Sequence, residues 1–263
     1  MSAVLLPSPA VVATGPSIHL RPYQQEAVAN IEEAFAKGVH RQLVSLPTGT
    51  GKTVVFAEVI RRRPGRALVI AHRDELIRQA VDKLQAVAPE LSVGVVKAGE
   101  DESEAQVVVA SIQTLQREAR RHRLGQGFTT IVVDEAHHSA APSYRGVLAH
   151  FGSFVRDDLL TLGVTATPER GDRRRLECFP TLVYEQDLIS MMREGYLADL
   201  RAVEVAVDAD LDGVSLSHGD FAADALGKAM RAAAAPEMVA RAYKEFAQHR
   251  RALIFTPTVA LAH

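Results

Sequence analysis

The sequence predicts an α/β protein built on a mostly parallel sheet with helices on both faces. Three observations predict it. Short apolar runs alternate with helical patterns from Arg21 to about Leu200. A glycine-rich turn, Pro47-Thr48-Gly49-Thr50-Gly51-Lys52-Thr53, directly follows one of those runs. Two adjacent carboxylates, Asp134 and Glu135, close another, and ligands of open parallel sheets bind at the C-terminal ends of strands.

The elements can be justified in order. Leu20-Arg21-Pro22-Tyr23-Gln24 reads as a helix start, with Pro22 near its first turn. Leu43–Leu46 is the first buried strand, and Thr53–Ile60 is apolar and long enough for a helix. Ala67–Ala71 is the next strand. Asp74–Val87 is a helix with Leu76, Ile77, Ala80, Val81 and Leu84 on one face. Further strands are predicted at Val93–Lys97, Val107–Ala110, Ile131–Val133, Leu160–Val164 and Leu182–Tyr184.

After Leu200 the character changes, and a domain boundary is expected near Asp199. Ala202–Val207 alternates like a strand, and Asp208–Asp220 is loop-like and acidic. An alanine-rich helical stretch follows, then a helix over Pro236–Gln248 and a last apolar strand over Ala252–Phe255. Asp208-Ala209-Asp210-Leu211-Asp212-Gly213 matches the opening of a calcium loop, but Gly219 stands where the loop needs Glu. A linker is the better reading.

Composition sets outer limits. A chain of 263 residues holds one large domain or two small ones. The 47% hydrophobic content suits a globular protein, and no stretch approaches the length of a membrane span. One cysteine, Cys178, excludes an intrachain disulfide and fits a reducing cytosol; beside Phe179 and Pro180 it reads as structural. A net charge of −2 does not announce nucleic acid. The arginine clusters Arg61-Arg62-Arg63, Arg120-Arg121-His122-Arg123, and Arg170 with Arg173-Arg174-Arg175 read as solvated faces. The first 17 residues carry three prolines and no charge, so a disordered tail is expected rather than a signal peptide.

The chemistry lies in the turn and the paired carboxylates. Gly49 and Gly51 let the backbone turn sharply and aim several N–H groups at one anion. A helix starting there presents its positive end to phosphate. Lys52 neutralises the β- and γ-phosphates and the Thr53 hydroxyl binds Mg²⁺. The loop departs from G-x-x-x-x-G-K-[ST] in having Leu46 first. Alone it could be a glycine-rich turn without a ligand. Asp134, placed to hold Mg²⁺, and Glu135, placed to orient or deprotonate water, complete a nucleoside triphosphatase site. His137 and His138 are adjacent on an irregular loop, a poor arrangement for chelating one ion.

With both motifs placed, the chain resembles the superfamily 2 helicases and translocases with a DEAH-type box. More narrowly it resembles the bacterial RadD-type proteins, with XPB and the type I and III restriction motor subunits as relatives. The resemblance covers residues 18 to 263 and rests on seven short motifs in order. It implies a RecA-like domain over residues 18–199, and a linker with the start of a second, incomplete RecA-like domain over 200–263.

The same resemblance implies roles for individual residues. Gln24 reads adenine, with Arg21 and Tyr23 packing on the base. Lys52, Asp134, Glu135 and His137 are catalytic. His72, Arg73, Ser111 and Gln113 grip a nucleic-acid backbone, although Ser111 could equally be a helix cap. Thr165 and Thr167 in Thr165-Ala166-Thr167-Pro168 couple the two sites through a hydrogen bond toward His137. Ile254-Phe255-Thr256-Pro257-Thr258 is motif IV of the second domain.

The implied function is an ATP- and Mg²⁺-dependent DNA helicase or translocase of DNA repair, cytoplasmic and nucleoid-associated. DNA is preferred over RNA, repair proteins are partners, and no membrane is involved. The alternative is a catalytically silent, ATP-dependent module for nucleic acid or a protein partner. It arises because the 263 residues stop before motifs V and VI, and weak turnover by these residues alone is the matching expectation.

Overall fold

The computed structural model describes residues 19–168, 176–217 and 220–262. The N-terminal tail, the Arg170 and Arg173–Arg175 cluster and Gly219 lie outside the described residues. Contacts divide the chain into two compact units, Met1–Ala198 and Asp199–His263.

In the first unit, helix α1 (Pro22–Ala36) precedes β1 (Arg41–Ser45), α2 (Lys52–Arg62), β2 (Arg66–Ala71) and α3 (Asp74–Val87). Then come β3 (Val93–Lys97), β4 (Glu100–Asp101), β5 (Val107–Ser111), α4 (Ile112–Leu115) and α5 (Glu118–Leu124). They are followed by β6 (Phe128–Asp134), a 3-10 turn over Ala136–Ala140, α6 (Pro142–His150), β7 (Leu160–Thr165), β8 (Thr181–Glu185) and α7 (Leu188–Arg193). The eight strands form one sheet in the order β4-β3-β5-β2-β6-β7-β1-β8. Every pairing is parallel except that of β4 with β3.

Strand alternation divides the core into two layers. Val44, Ala67, Val69, Val107, Val109, Val132, Leu162 and Val164 pack with α1, α2 and α3. Their neighbours Leu43, Leu68, Ile70, Val108, Ile131 and Val133 pack with α4, α5 and α6 on the other face. A side-chain period of two sends successive residues to opposite faces, and a sheet covered on both sides buries both sets. The fold is therefore the expected mixed α/β sheet with flanking helices. The short edge strand β4 carries only Glu100 and Asp101, and no apolar signal marks it in the sequence.

The second unit departs from expectation. It contains a two-stranded hairpin, β9 (Leu216–Ser217) with β10 (Asp220–Phe221), and helices α8 (Ala223–Ala232), α9 (Ala235–Phe246) and α10 (Val259–Ala262). Neither Ala202–Val207 nor Ala252–Phe255 forms a strand. Phe255, in the expected motif IV strand, is 87% exposed. An apolar run becomes a strand only by pairing, and the sheet among this unit's described residues has two strands, neither pairing with those runs.

Candidate active site

The phosphate loop crosses from β1 to α2. Leu46, where the motif expects glycine, is fully buried, and its backbone N–H donates to the Thr165 carbonyl at 2.9 Å. A side chain fits there because the backbone is not left-handed at Leu46. Glycine is needed at Gly49 and Gly51, where φ is +87° and +82°. A Cβ on Gly51 would also stand 2.8 Å from Gln24 Nε2. The Thr50 hydroxyl donates to the Pro47 carbonyl at 2.7 Å, closing the turn from within. Lys52 begins α2 and rests its ammonium 3.3 Å from the Leu46 carbonyl, so the loop curls around its own lysine.

Helix α1 holds this loop from the side. The Arg21 N–H donates to Gln24 Oε1 at 3.0 Å, while Gln24 Nε2 donates to the Thr50 carbonyl at 3.0 Å. Gln24 is thus tied down at both ends of its amide, with one proton and one lone pair left over for a base edge. The Tyr23 hydroxyl donates to the same Thr50 carbonyl at 2.5 Å. Tyr23 is only 3% exposed and packs edge-on against Tyr196 at 4.7 Å. This corrects the expectation that Tyr23 stacks on a base: its ring is in the core and its hydroxyl is spent on the loop. Pro47 is also buried and serves through its carbonyl.

The carboxylates follow at the end of β6. Asp134 is 7% exposed, and its Oδ1 accepts from the Glu135 N–H at 3.0 Å. Burial, then the Glu135 charge beside it, push the Asp134 carboxyl up to about 6, with Lys52 pulling the other way. A buried acid under that strain is suited to a cation. Glu135 has a left-handed backbone, φ +51°, which swings its side chain off the strand line. His137 Nδ1 lies 3.3 Å from Glu135 Oε2 and 3.1 Å from the Thr165 hydroxyl. Thr165 Oγ1 also accepts from the Thr167 N–H at 3.1 Å. Strand order explains the meeting: β7, which ends in Thr165, lies between β1 and β6.

An open cleft of about 530 Å³ brings these parts together. Its walls include Arg21, Gln24, Thr48 to Thr53, Asp134 and Glu135. It also includes His19, Val54, Leu76, Gln79 and Lys83, which motif reading missed. Leu76, Gln79 and Lys83 recur at helical spacing on α3, Leu76 at the margin of the apolar stripe and the other two outside it. The donor set fits a magnesium nucleoside triphosphate. Two left-handed glycines, a lysine at a helix start and a desolvated aspartate surround one space.

The residues expected to touch nucleic acid lie at the adjacent ends of β2 and β5, where Ala71 pairs with Ser111. Arg73 is exposed at the start of α3, and Gln113 donates to the His72 carbonyl at 2.9 Å. Ser111 is different. It is 6% exposed, its Oγ accepts from the Thr114 N–H at 3.1 Å, and it donates to Thr114 Oγ1 at 2.8 Å. Its hydroxyl caps α4 and is not free for phosphate, which corrects that assignment. His138, outside the motif assignments, stacks on His72 with centroids 4.8 Å apart.

Two arginine clusters lie on solvated faces, as expected, and pair with groups of the same fold. Arg61 and Arg62 both hold buried Glu58, and Arg63 lies over the Phe35 ring at 3.9 Å. Arg120 and Arg123 share Asp101. Burial pushes the Cys178 thiol up, and its Sγ faces the Ser139 carbonyl at 3.6 Å, as a structural cysteine would.

Known proteins are similar to this chain. "Putative ATP-dependent helicase IRC3" of Saccharomyces cerevisiae is 34% identical over 85% of the chain and 34% of its own length. "DNA 3'-5' translocase XPB2" of Sulfurisphaera tokodaii is 32% identical over 63% of the chain and 34% of its own length. The chain thus spans about a third of the length of these curated relatives. The solved structure of the type ISP restriction-modification enzyme LlaBIII shares the fold, with a TM-score of 0.52 at 18% identity. That likeness covers 70% of this chain and 16% of the other. Residues 17–170, more than half of the 263, match the family described as type III restriction enzyme, res subunit. The chain belongs to that ResIII family of superfamily 2 helicases.

Proposed function

We propose that this chain is the nucleotide-holding part of an ATP- and Mg²⁺-dependent DNA translocase or helicase with a DEAH box. We further propose that it is nearest to the RadD-type proteins and works in DNA repair on the nucleoid in the cytoplasm. The observation that carries the reading is the contact of His137 with both Glu135, at 3.3 Å, and Thr165, at 3.1 Å. It joins the cleft's carboxylates to a strand whose end also faces the phosphate loop. DNA is favoured over RNA by the similarity to a protein named as a DNA translocase.

Each residue has a task in this reading. Lys52 and the N–H groups of the loop hold the β- and γ-phosphates, and Gln24 and Arg21 face the base. Thr53 and Asp134 hold the metal, which supplies charge neutralisation at the phosphates when bound. Glu135 accepts a proton from water, and His137 sets the direction in which that carboxylate points. His72, Arg73 and Gln113 meet the backbone of one strand, so binding is independent of sequence and weakens with salt.

The test is ATP binding and turnover by the wild type and Lys52→Ala, with and without single-stranded DNA. The wild type is expected to bind ATP and turn it over only slowly, somewhat faster with DNA, and Lys52→Ala to lose ATP binding. ATP binding with no hydrolysis, even in a single turnover with DNA, would instead mark a nucleotide-controlled binding module.

A further inference from the structure

Three imidazoles form a continuous row in the first unit. His72 and His138 stack with centroids 4.8 Å apart and an interplanar angle of 27°. His138 and His137 follow at 4.1 Å and 47°. One end of the row is the exposed loop where Arg73 follows His72 and Gln113 donates to the His72 carbonyl. The other end is the pair of contacts from His137 Nδ1 to Glu135 and Thr165. The row therefore joins the two loops through side chains in direct contact.

The row is poorly suited to chelation. Stacked rings send their nitrogen lone pairs outward in separate planes, with no shared point for an ion. No group of three metal-ligating side chains occurs among the described residues. Partial desolvation, then the neighbouring His137 and His72, hold His138, itself exposed, below the usual histidine range, which favours a neutral His138 ring. His72 Nδ1 is buried with no hydrogen-bond partner among the described residues, where stacking rather than a hydrogen bond at that nitrogen sets its ring plane. At the far end the support is stiff. Ala136 opens the 3-10 turn that carries both His137 and His138, and a Cβ on Gly163 would stand 2.9 Å from Ala136 Cβ.

We propose that His138 is a positioning residue that transmits contact by a nucleic-acid strand at His72 and Arg73 to the Glu135, His137 and Thr165 group. This rests on the motor reading above. A strand settling on Arg73 moves the His72 ring, the His138 ring follows its stacking partner, and His137 turns against it. That turn changes how His137 Nδ1 divides between the Glu135 carboxylate and the Thr165 hydroxyl. His138 is absent from the walls of the nucleotide cleft, so its loss separates the two sites and leaves ATP able to bind.

The test follows the imidazole ring resonances of His72 and His137 by NMR as a mixed-sequence single-stranded oligonucleotide is added without nucleotide. In the wild type both residues are expected to shift. In His138→Ala only His72 shifts, and in His138→Phe, whose flat ring can still stack, the His137 shift returns. In parallel, DNA stimulation of ATP turnover falls about fivefold or more in His138→Ala, with unchanged ATP affinity, and returns in His138→Phe. A His137 shift that survives in His138→Ala overturns the proposal. A wild type in which DNA shifts His72 alone also overturns it and leaves the motor reading standing. A wild type in which DNA shifts neither ring removes the assigned strand contact, and the proposal with it.

Discussion

The Tyr23 hydroxyl donates to the Thr50 carbonyl oxygen at 2.5 Å, tying the first turn of α1 to the crest of the phosphate loop 27 residues away. Gln24 donates to the same oxygen at 3.0 Å, so two consecutive side chains fix one carbonyl. Tyr23→Phe keeps the ring in the core and removes one donor. It should lower stability by about 1 kcal/mol, because Gln24 still satisfies the acceptor. ATP affinity should fall a few-fold as the loop loosens. Thermal denaturation and nucleotide titration check both, and unchanged affinity would show that Gln24 alone sets the loop.

The two left-handed glycines should differ in cost. A Cβ on Gly49 meets Leu197 Cδ2 at 3.5 Å, an ordinary contact, so Gly49→Ala carries only the backbone penalty of about 1–2 kcal/mol. At Gly51 the Cβ stands 2.8 Å from Gln24 Nε2 and must push that amide off the Thr50 carbonyl. Gly51→Ala should therefore cost more stability and weaken ATP binding further than Gly49→Ala does. Equal losses in chemical denaturation would refute the clash as the cause.

Asp134 predicts an unusual pH profile. Its carboxyl is pushed up to about 6 from an ordinary 3.8, so between those values the folded chain binds more protons than the unfolded one. Stability then falls as pH rises through that window and stays lower above it. Asp134→Asn removes the effect and keeps an oxygen for the Glu135 N–H. The variant should be more stable than wild type at pH 7 to 8, by up to about 3 kcal/mol, with the difference closing below about pH 4. Denaturant midpoints across pH, without metal or nucleotide, give the comparison, and parallel curves would contradict it.

Thr165 is fully buried, and its hydroxyl serves both His137 Nδ1 and the Thr167 N–H. Thr165→Val preserves shape and removes those bonds, at a cost of about 1–2 kcal/mol for the Thr167 N–H left without its acceptor. ATP turnover should fall about tenfold while ATP affinity holds within about threefold. Thr165→Ser should restore turnover. A valine variant with normal turnover would place the coupling elsewhere.

The fold of the first unit was legible because its strands are covered on both faces. Val107-Val108-Val109-Ala110 and Thr130-Ile131-Val132-Val133 announce themselves as apolar runs, and the two clusters they feed confirm why. Edge and isolated segments do not obey that signal. Glu100-Asp101 pairs at an edge with no apolar face, while Ala252–Phe255 has the composition of a buried strand and no strand partner among the described residues. At the site, backbone-directed chemistry was the most visible: glycines at positive φ and a lysine at a helix start depend only on local sequence. Tyr23 and Ser111 misled because a hydroxyl's partner is decided by what the fold brings near it. For Tyr23 that is a loop 27 residues away, and for Ser111 it is its own helix. The row of His72, His138 and His137 was hidden because 66 positions separate the first two rings and no spacing rule links them.

The end of β7 has one consequence for how this protein can vary. The Thr165 carbonyl receives the Leu46 N–H at 2.9 Å, while its hydroxyl meets His137 at 3.1 Å. A substitution alters only the second contact, because every residue type offers the same carbonyl. An insertion or deletion within Leu160–Thr165 shifts both at once and swaps side chains between the two buried layers. In a library covering this strand, substitutions at Thr165 should yield chains that keep nucleotide and lose communication. Length changes should yield chains that lose both. The number of residues in this strand is thus held more tightly than their identity.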